Sequence, residues 1–263
     1  MTHLLDDPAS ETERLRLQSR VWEPAGCRLL DLLGDGTGRR ALDIGCGAMG
    51  WLRLLSRWVG PTGSCTGTDV AQGMLAHARA FADVEDLGNV TVVDDDLFDS
   101  RLPPGAFDLV HARFQLAPLG RAQEQLAAYR RLLRPGGVLV LEDPDSSSWT
   151  YSPDAPRTAE LIGLVRDAFR AAGGDFDAGH AAMHLLAADG LYPTSRVETV
   201  DLPGGHRYLW LPLQFARSLR PRLAQLVSAD DLDRLLADSA AELDRPGTRG
   251  VTFGLVQTWA TVP

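Results

Sequence analysis

The chain has 263 residues, and its 26 Lys+Arg positions are all arginine, because no lysine occurs anywhere in it. Chemistry that needs an ammonium side chain, such as a Schiff-base lysine or the lysine of a phosphate-binding P-loop, is therefore excluded. With 35 Asp+Glu the formal charge is −9, and with arginines scattered among carboxylates, nucleic acid is not expected as a partner.

The segment MTHLLDD is expected to fray, after which Ser10-Glu11-Thr12-Glu13 has the S-x-x-E form of a capping box and predicts a helix start. Leu15, Trp22, Leu29, Leu30, Leu32 and Leu33 keep helical apolar spacing, and Pro24 is placed in the first turn of a second helix that runs to Gly34. Gly34 to Gly38 reads as a turn. From residue 39 short apolar runs alternate with helical patterns. RALDIG precedes a helix over 51–59, SCTGTD a helix over 71–82, VTVVD and FDLVHA a helix over 121–133, and GVLVLED follows. This rhythm predicts an α/β fold with a parallel sheet covered on both faces. Arg134-Pro135-Gly136-Gly137 is read as a helix stop and tight return, and 143–148 as a loop at the carboxyl end of a strand, where open α/β sheets bind ligands. Helices are expected over 157–172, 179–188, 213–227 and 229–243, and strands over 196–202 and 251–261.

The size fits one large domain or one domain with a cap. The odd set Cys27, Cys46 and Cys65, without CxxC pairing, reads as free thiols in a reducing compartment. No apolar run reaches about 18 residues, and the first thirty positions are too charged for a signal peptide, so a cytoplasmic location is expected.

Gly45-Cys46-Gly47-Ala48-Met49-Gly50 is a G-x-G-x-x-G between a predicted strand and a predicted helix, with Asp69 19 residues beyond Gly50 at the next strand end. That much suits NAD or S-adenosylmethionine. Asp43, two residues before Gly45, repels a pyrophosphate but suits a sulfonium-bearing cofactor, as does the Asp94-Asp95-Asp96 run.

The ordered set ALDIGCGAMGW, GTDVAQGML, VTVVDDDLFD, FDLVHARF and YRRLLRPGGVLVLED resembles the class I S-adenosylmethionine-dependent methyltransferases, in particular the small-molecule group of bacterial natural-product metabolism. The resemblance spans about residues 39 to 143. It implies a Rossmann-like methyltransferase fold: a seven-stranded mixed sheet, the last strand antiparallel, helices on both faces and a helical cap. Residues 1–38 would cover the cofactor site, and cap insertions would lie around 145–190 and 203–250. It implies that Gly45 and Gly47 lie along the amino-acid part of S-adenosylmethionine, that Asp69 binds the ribose hydroxyls, and that Val70 lies on the adenine. Asp96, or Asp95 one position off, would meet the adenine amino group, with Leu97 offering its amide. His111 to Phe114 would touch the methionyl part and the methyl group, with Arg113 neutralising the cofactor carboxylate.

Without lysine, a base for the acceptor must be histidine, a carboxylate or tyrosine. The candidates are His180 and His184, four apart on one helix face, His206 in a loop beside Tyr208 and Trp210, and His111 at a strand end. His77 and His3 carry no expected role. No metal site is expected, because H-x-x-x-H here lacks the glutamate of H-E-x-x-H. Phe114, Trp149, Tyr151 and Tyr208 are candidate acceptor contacts, or cap core. Glu142 and Asp143 either face the crevice or cap the following turn.

The expected activity is methyl transfer to a small, apolar or aromatic metabolite, with O-, N- and C-methylation open and monomer or homodimer equally open. Two alternatives stay beside it: a cofactor-binding protein of the same fold that does not methylate, and an NAD(P)-dependent oxidoreductase.

Overall fold

The structure, a computed structural model, describes residues 8–263, with side chains from Thr12 onward. The MTHLLDD segment, with His3, lies outside the described residues. In chain order the elements are α1 (Pro8–Leu33), β1 (Arg40–Ile44), α2 (Leu52–Val59), β2 (Ser64–Asp69), α3 (Gln72–Val84), β3 (Val90–Asp94), β4 (Phe107–Arg113), α4 (Leu116–Leu119), α5 (Ala122–Leu132) and β5 (Leu133–Asp145). Then follow β6 (Thr150–Ser152), α6 (Pro156–Ala171), α7 (Gly179–Ala188), β7 (Thr194–Glu198), β8 (Asp201–Leu202), α8 (Leu211–Ser218), α9 (Arg220–Leu223), α10 (Ala229–Leu243), β9 (Arg249–Val251) and β10 (Gly254–Thr261).

Seven strands form one sheet in the order β3-β2-β1-β4-β5-β10-β7. The strands β1 to β5 pair in parallel, whereas β10 runs antiparallel between β5 and β7, as expected for the last strand. Central strands such as β1 are buried at nearly every position because helices cover both faces, which is why they read as unbroken apolar runs. On one face Ala41, Leu109 and Val140 pack with Leu29, Trp51, Leu52 and Leu55 of α1 and α2. On the other, Leu42, Val110, Leu139 and Leu141 join Tyr129 of α5 and the aromatic rings of the cap. That cap consists of α6, α8, α9 and α10 with a second sheet of order β6-β9-β8, while α7 lies on β5 and β10.

Several boundaries differ from the sequence expectation. One helix replaces two at the start. It begins at Pro8, so Ser10 lies inside it rather than at its cap, and proline at a first helical position costs no hydrogen bond. Pro24 lies within the same helix on its exposed side, where water can satisfy the Arg20 carbonyl that has lost its partner. Arg134 to Gly137 belongs to the irregular start of β5, with Leu133 already paired to Phe107 and the register shifting before Leu109. Asp143 to Asp145 is still strand, and only Ser146–Ser148 forms a 3-10 turn. The strands expected over 196–202 and 251–261 each divide, giving one piece to each sheet, and the 213–227 helix breaks at Leu219, before Pro221.

The segment after α6 approaches the loop after β4 closely at Gly120 (φ +57°), where an added Cβ would stand 2.1 Å from the Gly173 carbonyl oxygen. Gly105 has a similar φ of +63° with nothing within 4 Å. Gly105→Ala is expected to cost only backbone strain, about 1 kcal/mol. Gly120→Ala adds a backbone clash and should cost at least twice that, read from urea unfolding midpoints.

Candidate active site

At the carboxyl ends of β1 and β2 the chain turns through Gly45 (φ +64°) and Gly47 (φ +56°), conformations that suit glycine. Gly50 is required for a second reason, because a Cβ there would stand 2.1 Å from Asp43 Oδ2. That oxygen accepts the Trp51 amide at 2.7 Å and so fixes the start of α2. Asp69 closes the loop from the other side: its Oδ2 accepts the Gly47 amide and its Oδ1 the Ala71 amide, both at 2.9 Å. Gly45 faces the side-chain amide of Gln115, a group that can swing away, so the backbone cradle is open to a ligand that displaces it. The glycine curve, the flanking carboxylate at the β2 end and the acidic surroundings fit an adenosyl sulfonium and oppose a pyrophosphate.

Below this loop lies a belt of polar side chains on the face of the sheet that packs on α1 and α2. Asp43, His111, Glu142, Gln257 and Arg196 come from β1, β4, β5, β10 and β7, five neighbouring strands. Asp43 and His111 continue the period-two stripes that begin with Ala41 and Leu109. His111 Nδ1 stands 2.7 Å from Asp43 Oδ1 and its Nε2 3.2 Å from Glu142 Oε2, with the ring fully buried. Gln257 donates to Glu142 Oε1, and Arg196 donates to Gln257 Oε1 at 2.7 Å. The Trp51 indole stacks on His111 with centroids 3.8 Å apart and planes at 15°, an arrangement that favours a cationic imidazole. Burial opposes charge on His111, but the hydrogen bonds to Asp43 and Glu142 outweigh it and raise its pKa. Burial likewise opposes the Glu142 carboxylate, and His111 and Arg113 bring its pKa down.

Arg113, nearly buried, donates to Ser19 Oγ of α1 at 2.9 Å and lies 4.0 Å from Glu142. Phe114 follows with φ +55°, an unusual conformation for a side-chain-bearing residue, held by its amide bonding to the Glu142 carbonyl at 2.7 Å. Asp143 caps α4, accepting the Ala117 amide at 2.9 Å, while its Oδ2 is buried without a partner. Burial pushes the Asp143 carboxyl up to about 7.

The remaining expected site residues lie at the ends of β2, β3 and β4, on α7 and in the cap. His180 and His184 are exposed on α7, with His180 Nε2 3.6 Å from Asp145. His206 accepts the Tyr208 amide through Nδ1. Val70 is exposed; Asp95 is buried and accepts the Arg101 amide, whereas Asp96 is exposed and accepts the Phe98 amide, which begins the turn that contains Leu97. Phe114, Trp149 and Tyr208 all meet the ring of Phe253. Tyr151 donates to the Leu209 carbonyl and receives the Trp149 indole N–H, and Trp22 donates to Tyr208. Burial raises both tyrosine pKa values. Sequence reasoning passed over Trp51, Gln115, Gln257 and Phe253. Only Gln257, a polar residue in an apolar strand, left a visible signal.

Two outcomes are expected. A group whose folded pKa lies above its unfolded value binds its proton more tightly in the folded state. Asp143 therefore makes stability fall as pH rises from about 4 through 7, by up to about 4 kcal/mol. Asp143→Asn, which mimics the neutral acid, should flatten that slope in denaturation curves taken across this range. His111→Leu leaves Asp43 and Glu142 buried without their cation and should cost about 3–5 kcal/mol. Adding Glu142→Gln should cost less than the sum of the two single changes.

Comparison with known proteins agrees with this geometry. Residues 41–137 match a family model described as a methyltransferase domain. The aklanonic acid methyltransferase of Streptomyces sp. (strain C5) is 32% identical over 62% of this chain and 73% of its own length. The nocamycin O-methyltransferase of Saccharothrix syringae is 34% identical over 58% of this chain and 65% of its own. A SAM-dependent methyltransferase of Aquifex aeolicus shares the fold, with a TM-score of 0.56 at 21% identity over 73% of this chain and 91% of that one. The chain belongs to the class I S-adenosylmethionine-dependent methyltransferases.

Proposed function

We propose that the enzyme methylates an oxygen that is already ionised at neutral pH, on a small, flat, largely apolar metabolite of bacterial natural-product metabolism. The observation that carries this reading is the state of the expected bases. His111 is enclosed by two carboxylates, and His206 uses Nδ1 to accept an amide, so its neutral form carries the proton on Nε2. His180 and His184 stand on an exposed helix face, and the hydroxyls of Tyr151 and Tyr208 are buried, hydrogen-bonded and harder to ionise. An acceptor that needs no deprotonation suits such a site. A relative named for aklanonic acid and another named as an O-methyltransferase support the same class.

When bound, the cofactor supplies a methyl group on a cationic sulfur that leaves as a neutral thioether. The protein's part is then to position both partners and exclude water. In this reading Gly45 and Gly47 lie along the methionyl part, Asp69 and Val70 hold the ribose and adenine, and Asp96 with Leu97 meets the adenine edge. Asp43 shapes the loop without touching the cofactor, and Arg113 attracts its carboxylate. Helix α1 covers the cofactor site, and the segments around 145–190 and 203–250 enclose the acceptor, with Phe114, Trp149 and Tyr208 forming the floor around Phe253. Among the described residues no helix is long and apolar enough to cross a membrane. We place the enzyme in the cytoplasm, with neither nucleic acid nor membrane as partner, as monomer or homodimer.

Asp69→Ala should weaken S-adenosylhomocysteine binding at least tenfold in a calorimetric titration, through loss of charge-assisted hydrogen bonds. With labelled S-adenosylmethionine and a panel of aromatic acids, His180→Ala, His184→Ala and His206→Ala should each keep kcat within about threefold, and the pH–rate profile should stay level above the acceptor's own pKa. A hundredfold loss of kcat in one of these variants would return that histidine to the role of base.

A further inference from the structure

The arginines are less evenly scattered than expected: carboxylate-free segments gather them, such as 125–141 with Arg130, Arg131 and Arg134, and a longer one in the cap. Residues 203–228 contain Arg207, Arg217, Arg220 and Arg222 and no aspartate or glutamate. Within this window Trp210, Leu213, Gln214 and Arg217 recur at helical spacing and share one face. With Gly205 and Arg207 they line a cavity of about 330 Å³, within the size range of small-molecule sites. Arg207 pairs with Glu13 and Arg220 with Asp233, whereas no carboxylate among the described residues pairs with the exposed Arg217. Gln214 Oε1 is buried without a hydrogen-bond partner. Trp210 is half-buried, seated on the cap core, and gives the groove an aromatic wall.

The groove lies at the seam between α1 and the cap. Arg207 reaches Glu13 of α1, and the Arg14 guanidinium of α1 lies 4.8 Å from the ring centroid of Phe215 on α8. We propose that this groove is a docking site for a planar aromatic carboxylate, the acceptor class proposed above. The ring stacks on Trp210, the carboxylate meets the Arg217 fork, and a ring hydroxyl donates to Gln214 Oε1. On a chain of net charge −9 the cationic window also steers the approach of such an anion.

The inference rests on the acid-acceptor reading but is tested apart from it, by direct binding to the full chain. The probes are anthraquinone-2-carboxylate and its neutral carboxamide, titrated calorimetrically at low salt into the wild type, Arg217→Gln, Trp210→Leu and, as a control outside the groove, Arg220→Gln. The carboxylate should bind at least tenfold more tightly than the carboxamide. Arg217→Gln should remove that preference, Trp210→Leu should weaken both probes, and Arg220→Gln should change neither. Affinity for S-adenosylhomocysteine should stay within twofold throughout, which verifies the fold and the cofactor site. No carboxylate preference in the wild type, or a preference that survives Arg217→Gln, overturns the groove. Failure to methylate any acid while the groove binds as described overturns the acceptor reading instead.

Discussion

The buried imidazole of His111 is the joint on which the cofactor loop and the middle of the sheet both depend. Two carboxylates taken from water onto the strands that flank β4 would repel each other, and each would carry a heavy desolvation cost. A cation between Asp43 and Glu142 offsets both penalties, and the stacked Trp51 indole adds a π face that prefers positive charge. Asp43 is then free to direct its second oxygen to the Trp51 amide, which sets where α2 begins and how the glycine curve stands. The loop geometry is thus carried by a charge pair buried beneath it. Asp43→Asn keeps the shape of the acid but loses the charge that His111 balances.

The same belt reaches helix α1. Arg196 donates to Gln257 on one side and to the Ala25 carbonyl of α1 on the other, while Arg113 ties Glu142 to Ser19 of the same helix. Gly26 lets α1 come close to Leu54 and Trp51, where a Cβ would stand 2.6 Å from the Leu54 methyl. The covering helix is consequently fixed through its middle and carboxyl half to the polar interior as well as to the apolar one. Its amino-terminal half leans on the cap through Glu13 and Arg14.

Much of this was legible in the sequence for a physical reason. Short unbroken apolar runs separated by 3.6-period segments are buried as a parallel sheet covered on both faces, and the five ordered motifs sit at its strand ends. The glycine curve and Asp69 were readable because backbone conformation and charge leave marks on residue type. The partners of His111 were not, since Asp43 and Glu142 are separated in sequence from it by 68 and 31 positions and meet only once the strands pair. The aromatics Trp149, Tyr151 and Tyr208 look alike in sequence whether they line a pocket or fill a core; that Trp149 and Tyr208 meet Phe253 and that both tyrosine hydroxyls are hydrogen-bonded emerges only in the fold. Phe114 shows the opposite limit, because a left-handed conformation at a phenylalanine is imposed by its surroundings and has no residue signature.

The antiparallel strand β10 has a consequence for how the molecule is made. It lies between β5 and β7, and β7 pairs with nothing else in the sheet. All the other elements precede β10 in the chain, so during synthesis β7 waits unpaired and Glu142 waits without Gln257 until the residues after 253 emerge. The strands β1 to β5 pair across 24 to 68 positions, whereas β10 reaches β5 across 109 to 123 and so closes last. A ribosome that stalls before residue 254 would release an exposed strand edge beside an incompletely neutralised buried acid, a form marked for aggregation or proteolysis rather than for slow catalysis.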